Sequence, residues 1–224
     1  KILSLVFLIV LGLGLQAQLA PVRWESLISL NATKKVVVAD SRTYYLSQSG
    51  IFYLNHSDNE LVSLTKADGL SELEFSTMAY NASTNKLVVA YANSNIDIIT
   101  SDNKVVQLSD IKRKNINGDK TIYSISCNGA FCYLSCGFGI VVVDLQRMEV
   151  SDTYIIGDEG NYLPVYDIAF SNDGFIYAAT KQGIRYAPLE GVNLLDYSNW
   201  SLVTAIGLDQ YSFDFISFGA GRIW

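Results

Sequence analysis

Few side chains in this 224-residue chain suit nucleophilic or metal chemistry near neutral pH: one histidine, His56, and three cysteines, Cys127, Cys132 and Cys136. A Ser-His-Asp or Cys-His pair would have to use His56. That residue lies in Asn55-His56-Ser57-Asp58, which reads as a polar, solvent-exposed turn between two strands. A zinc site finds neither the cysteine spacing nor a nearby histidine. No acidic run has calcium-loop spacing, and no glycine-rich loop leads from a strand into a helix to cradle phosphate. Ser171-Asn172-Asp173-Gly174 comes near the Asp-box of sialidase propellers, but Gly follows Asp directly, and a plain hairpin turn accounts for it. Acidic residues are plentiful, and their spacing alone pairs none of them as catalytic carboxylates. Two features remain as candidate contacts. Lys112-Arg113-Lys114, with Lys120 nearby, forms a local cationic cluster that could hold a phosphate, an acidic sugar or an acidic partner. Gly137-Phe138-Gly139 places an aromatic between two permissive residues, either displayed as a contact or tucked under a loop.

The elements that carry these residues follow a repeat. Tyr44, Val89, Tyr133 and Tyr177 lie at steps of 45, 44 and 44 residues. Each opens an apolar run, then a short polar turn, then Gly50, Asn95, Gly139 or Gly183, then Ile51, Ile96, Ile140 or Ile184. A fixed period of this length with strand-like contents predicts an all-β fold, a β-propeller of four-stranded blades. Alternation and turn residues place blade one over 35–65, blade two over 75–108, blade three over 121–155 and blade four over 165–205. A fifth blade is expected to begin with a strand near Phe213-Asp214-Phe215-Ile216. The segment Trp24–Leu30 reads as an orphan outer strand of the kind that closes a propeller ring. With four complete blades, a partial fifth and that unpaired strand, the chain is expected to be part of a seven-bladed ring in a longer protein.

Composition agrees. Half of the residues are hydrophobic, and Tyr and Phe dominate the aromatics. The formal charge of −6 offers no general nucleic-acid footprint. Lys1, an apolar run from Ile2 to Leu15 and then Gln16-Ala17-Gln18 predict a signal peptide over 1–17, with the propeller over 18–224 and the mature protein exported. If Asn128-Gly129 forms a two-residue hairpin turn, Cys127 faces Ala130 and Cys132 faces Ile125, so the two are diagonal neighbours. Cys132 and Cys136 lie too far apart along one strand to bond. The expectation is three buried free thiols.

Asp68-Gly69-Leu70-Ser71, followed by the apolar strands at Met78-Ala79-Tyr80 and Lys86-Leu87-Val88-Val89-Ala90-Tyr91, resembles the regulator-propeller repeat of periplasmic sensors in hybrid two-component proteins. A closer resemblance rests on Leu64–Ile99, on Ser109–Ile116 and above all on Tyr133-Leu134-Ser135-Cys136-Gly137-Phe138-Gly139-Ile140-Val141-Val142-Val143-Asp144-Leu145. These segments resemble the N-terminal propeller of the PorZ family of the type IX secretion system of Bacteroidetes. That resemblance implies two propellers and a C-terminal β-sandwich in the whole protein. It also implies a place at the cell surface or outer membrane with the sortase PorU and with PorV and PorQ, and binding of anionic lipopolysaccharide. The implied role is a non-catalytic scaffold, with no cofactor and no metal. A periplasmic sensor is the alternative, and a carbohydrate-active enzyme a third reading. The expected glycan or partner contacts are Lys112, Arg113, Lys114 and Phe138.

Overall fold

The computed structural model describes residues 33–48 and 50–224. The expected signal peptide and the orphan strand at Trp24–Leu30 lie outside the described residues. Four antiparallel four-stranded sheets follow one another along the chain, each in simple strand order. Blade one holds β1 (Lys35–Val38), β2 (Arg42–Leu46), β3 (Ile51–Asn55) and β4 (Leu61–Leu64). Blade two holds β5 (Phe75–Asn81), β6 (Lys86–Tyr91), β7 (Ile96–Ile99) and β8 (Val105–Leu108). In blade three these are β9 (Ile122–Asn128), β10 (Phe131–Cys136), β11 (Gly139–Asp144) and β12 (Glu149–Tyr154). In blade four they are β13 (Val165–Phe170), β14 (Phe175–Thr180), β15 (Gly183–Pro188) and the short β16 (Ser201–Leu202). A two-stranded hairpin, β17 (Phe218–Gly219) with β18 (Arg222–Ile223), begins a fifth sheet. This is a partial β-propeller.

The period-2 alternation of side chains explains how the blades stack. In β6, Leu87, Val89 and Tyr91 join the core shared with blade one, whereas Val88 and Ala90 join the core shared with blade three. In β10 and β11, Cys132, Leu134, Cys136, Val141 and Val143 face blade two, while Tyr133, Ile140 and Val142 face blade four. Strands β6, β10 and β11 are therefore largely apolar on both faces and read as near-continuous hydrophobic runs, as for a sheet buried on both sides. The first strands of successive blades lie side by side on the inner wall. Lys35 on β1 and Asp167 on β13 line one cleft, so the inner strands curve around a common shaft.

Three expectations need correction. Cys127 and Cys132 form a disulfide, and Cys136 alone is a buried free thiol. The hairpin turn is Gly129-Ala130, one residue beyond the expected pair, since Asn128 pairs with Phe131. That one-residue shift sets Cys127 directly opposite Cys132 instead of diagonal to it. Secondly, Phe213–Ile216 forms no strand: the Phe213 amide donates to the Thr180 carbonyl, and the first paired strand of blade five comes slightly later, at Phe218. Thirdly, the outer strand of blade four is cut to Ser201–Leu202. Residues 189–200 connect β15 to this strand, and buried Leu194 and Trp200 within that connection join the core between blades three and four.

Candidate functional site

The inner strands of blades two, three and four share an irregularity. Phe75 pairs with Tyr91 and Thr77 with Ala90, which leaves Ser76 as an extra residue. Tyr123 is extra in the same way between Ile122 and Ser124, as is Tyr166 between Val165 and Asp167. A β-bulge at the second position of an inner strand bends it and re-aims a side chain. Tyr123 and Tyr166 meet edge-on, with ring centroids 5.0 Å apart. Together with Lys35, Ser124, Asp167, Asp214 and Phe215 they line an open cleft of about 450 Å³ at the shaft. The Ser76 hydroxyl, at the third bulge, is buried with no partner among the described residues.

Hydrogen bonds fix this wall. The Lys35 ammonium donates to the Thr77 hydroxyl at 3.2 Å. Burial pushes its pKa down, and the Asp167 carboxylate partly offsets that shift. Asp167 accepts from the Ser124 hydroxyl at 2.8 Å and from the Ile216 amide at 3.2 Å, which ties blade five to the shaft. Tyr123 donates to Asp119 at 2.6 Å, and burial followed by this bond raises the phenol's pKa. Asp214 and Phe215 are exposed, Phe215 at 70%.

A second pattern lies where the connections between blades meet the turns between second and third strands. Asp97, the second residue of β7, is fully buried. Its carboxylate accepts from the Tyr91 hydroxyl at 2.6 Å, from the Ser71 amide at 2.8 Å and from the Ser71 hydroxyl at 2.7 Å. It thereby holds the Gly69-Leu70-Ser71 connection onto blade two. Arg185 occupies the matching place after Ile184 in β15. Its side chain is 5% exposed and donates to Asp158 in the connection between blades three and four at 2.8 Å. One blade position thus clamps an incoming connection twice, with opposite charges.

The cationic cluster occupies the connection between blades two and three, where Asp110–Arg113 forms a single helical turn. Lys112 pairs with Glu72 at 2.7 Å, and this hydrogen bond is the main cause of the lowered Glu72 pKa. Lys114 donates to Thr153 at 3.4 Å, and Lys120 to the Lys112 carbonyl at 3.1 Å. The Arg113 side chain is exposed and has no partner among the described residues. The cluster therefore presents its cations at the surface, one of them already paired. Phe138 takes the tucked arrangement. It is 1% exposed, belongs to the core between blades two and three, and meets Tyr162 edge-on at 6.2 Å. Its lack of exposed surface separates it from the lysines. His56 is exposed, with its Nε2 2.9 Å from the Thr43 hydroxyl. Ser171–Phe175 closes as a hairpin turn, with Gly174 at φ 87°.

Sequence reasoning missed the shaft cleft, Asp97 and Arg185. Its residues come from four blades and had no shared local motif. The one available signal was an aromatic at the second position of two consecutive inner strands.

No curated protein matches this sequence. Among solved structures, PorZ of Porphyromonas gingivalis, an essential surface component of the type IX secretion system, superposes with a TM-score of 0.77 at 22% identity, over 89% of this chain and 26% of that one. The extracellular domain of BT4673 of B. thetaiotaomicron, described as a one component system, superposes with a TM-score of 0.63 at 9% identity, over 89% of this chain and 27% of that one. A second structure of BT4673, described as a hybrid two component system, gives a TM-score of 0.61 at 10% identity, over 86% and 26%. At these identities the superpositions show the fold, and this chain spans about a quarter of the PorZ chain. The family model of the PorZ N-terminal β-propeller domain matches residues 43–201. The chain belongs to the family of type IX secretion PorZ N-terminal β-propeller domains.

Proposed function

We propose that this propeller is a non-catalytic scaffold and binding module of the type IX secretion system, exported to the cell surface. In this reading residues 1–17 direct export and 18–224 belong to the propeller. The whole protein binds anionic lipopolysaccharide and serves the PorU sortase together with PorV and PorQ. The carrying observation is the family match over residues 43–201. The architecture is compatible: cores between blades make a rigid body, and loops on its faces are free to recruit partners. Lys112, Arg113 and Lys114 supply a surface cluster suited to phosphate or acidic sugar on an otherwise acidic chain. Among the described residues no helix is long and apolar enough to cross a membrane.

The test is affinity capture of the full-length protein from the source cells' outer membranes. Recovery of the sortase, PorV and PorQ is the expected result, and recovery of a histidine kinase instead would favour the sensor reading that the BT4673 fold admits. Reversal of Lys112, Arg113 and Lys114 to Glu should weaken capture of anionic lipopolysaccharide. Unchanged capture would remove the cluster from the proposal and leave the scaffold reading to stand on its partners.

A further inference from the structure

The chain holds two Asn-Gly steps, Asn117-Gly118 and Asn128-Gly129. This dipeptide is reactive without any enzyme. The main-chain nitrogen of the glycine attacks the side-chain carbonyl carbon of the asparagine. A new C–N bond closes a succinimide ring, and Nδ2 leaves as ammonia. Water then opens the ring at either carbonyl, giving aspartate or isoaspartate. Glycine favours the attack because no Cβ crowds its nitrogen and its backbone turns freely. The reaction needs an asparagine whose backbone can rotate and a glycine amide with no competing partner.

The fold treats the two steps differently, although both asparagines are exposed. Asn128 ends β9 and pairs with Phe131, and the Cys127–Cys132 disulfide braces the neighbouring pair. The Gly129 carbonyl accepts from the Asn81 side-chain amide at 2.9 Å. Asn128 must therefore leave the ladder before its side chain meets the next nitrogen. Asn117 and Gly118 belong to no strand or helix and lie in the connection between blades two and three. Neither the Asn117 side chain nor the Gly118 amide has a hydrogen-bond partner among the described residues. Both flanking blades have all four strands, so this exposure does not depend on blade five.

The surroundings give the product a consequence. Lys114 and Lys120 stand three residues to either side of Asn117. The Lys120 ammonium donates to the Lys112 carbonyl at 3.1 Å, which closes this loop on the cationic cluster. The nearby Asp119 carboxylate is occupied by the Thr121 and Tyr123 hydroxyls. We propose that Asn117 is a self-modification site, whose conversion to aspartate or isoaspartate places a new carboxylate in the cationic loop and lowers its net positive charge by one. Isoaspartate also lengthens the main chain by a methylene between buried Ile116 and Gly118, beside Tyr162. The inference stands without the scaffold reading.

The experiment ages the full-length protein in mildly alkaline buffer. Peptides covering 117 and 128 are followed by the amide-to-acid mass change and by enzymatic methylation of isoaspartate. Asn117 should react at least about tenfold faster than Asn128, the ratio expected if leaving the ladder costs about 1.4 kcal/mol. In the denatured, reduced chain the two rates should converge, because the reacting dipeptide is the same. Gly118→Ala should slow the reaction at Asn117 and keep the wild-type melt, since the nearest atom to its Cβ would be on Tyr162 at 4.0 Å. Equal rates in the folded protein, faster reaction at Asn128, or a preference for Asn117 that persists in denaturant overturns the proposal.

Discussion

Removing the Asp97 carboxylate should loosen the joint between blades one and two. Three donors converge on this group at 2.6, 2.7 and 2.8 Å, and Tyr91 and Asp97 are both fully buried. Hydrogen bonds to a charged acceptor contribute about 1.5–3 kcal/mol each. Their sum overstates the effect, because burying the carboxylate carries its own desolvation cost. Truncating one member of a buried, paired network typically costs about 3–5 kcal/mol, since the remaining donors lose their acceptor and find no water. Asp97→Ala is therefore expected to destabilise this propeller by that amount, roughly 6–20 °C in melting temperature for a body of this size. Asp97→Asn keeps the shape and one acceptor oxygen, and should cost about 1–2 kcal/mol. Tyr91→Phe removes one donor and leaves both Ser71 contacts, so the two single effects should not add in the double variant. The assay is a thermal melt combined with amide exchange of the peptide covering 68–74. Exchange there should rise more than in blade four. A melt unchanged within about 2 °C and unchanged exchange at Ser71 would refute the clamp argument, because contacts of this size cannot be silent.

Gly139 sits at φ 146°, and a Cβ there would lie far inside van der Waals contact with the Tyr154 carbonyl oxygen, so Gly139→Ala should cost at least about 2 kcal/mol; a chemical-denaturation midpoint equal to wild type would count against the register. Alkylation of the denatured, unreduced protein should label one of these three cysteines, Cys136, and peptide mapping should recover Cys127 linked to Cys132; three labelled thiols would restore the free-thiol expectation. Burial raises the phenol pKa of Tyr91, Tyr133 and Tyr154 above the unfolded value of about 10, so the neutral ring is favoured by the fold. Their contribution is fully present below about pH 10 and is lost as pH rises beyond it, because the unfolded chain then binds fewer protons. Phenolate absorbance from these rings should therefore appear only together with unfolding in an alkaline titration. Early ionisation in the folded protein would contradict their burial.

Much of the fold was readable because a strand's identity is local. The alternation in Lys86–Tyr91 and the run Gly139–Asp144 announce strands before any partner is known, and all four blades fall within the ranges the repeat predicts. The turn at Gly129-Ala130 was misplaced by one residue because Asn, Gly and Ala can share a hairpin turn in more than one register. That single step decided whether two cysteines bond. Phe138 was undecidable from its flanking glycines: they permit either direction, and the apolar core between blades two and three chooses burial. The cationic cluster was visible as a run, but not its partial neutralisation by Glu72, forty residues earlier.

The sequence by itself determined the repeat, the strand order within each blade and the family, since each depends on residues close together in the chain. Tertiary structure alone decided which side chains meet. The bulges at Tyr123 and Tyr166 arise from pairing with the next strand, and the cleft they line forms only when blades one, three, four and five curve around one shaft. Asp97 and Arg185 are ordinary polar residues in sequence. They become clamps because stacking the blades removes water from them and leaves a neighbouring connection as their hydrogen-bond partner.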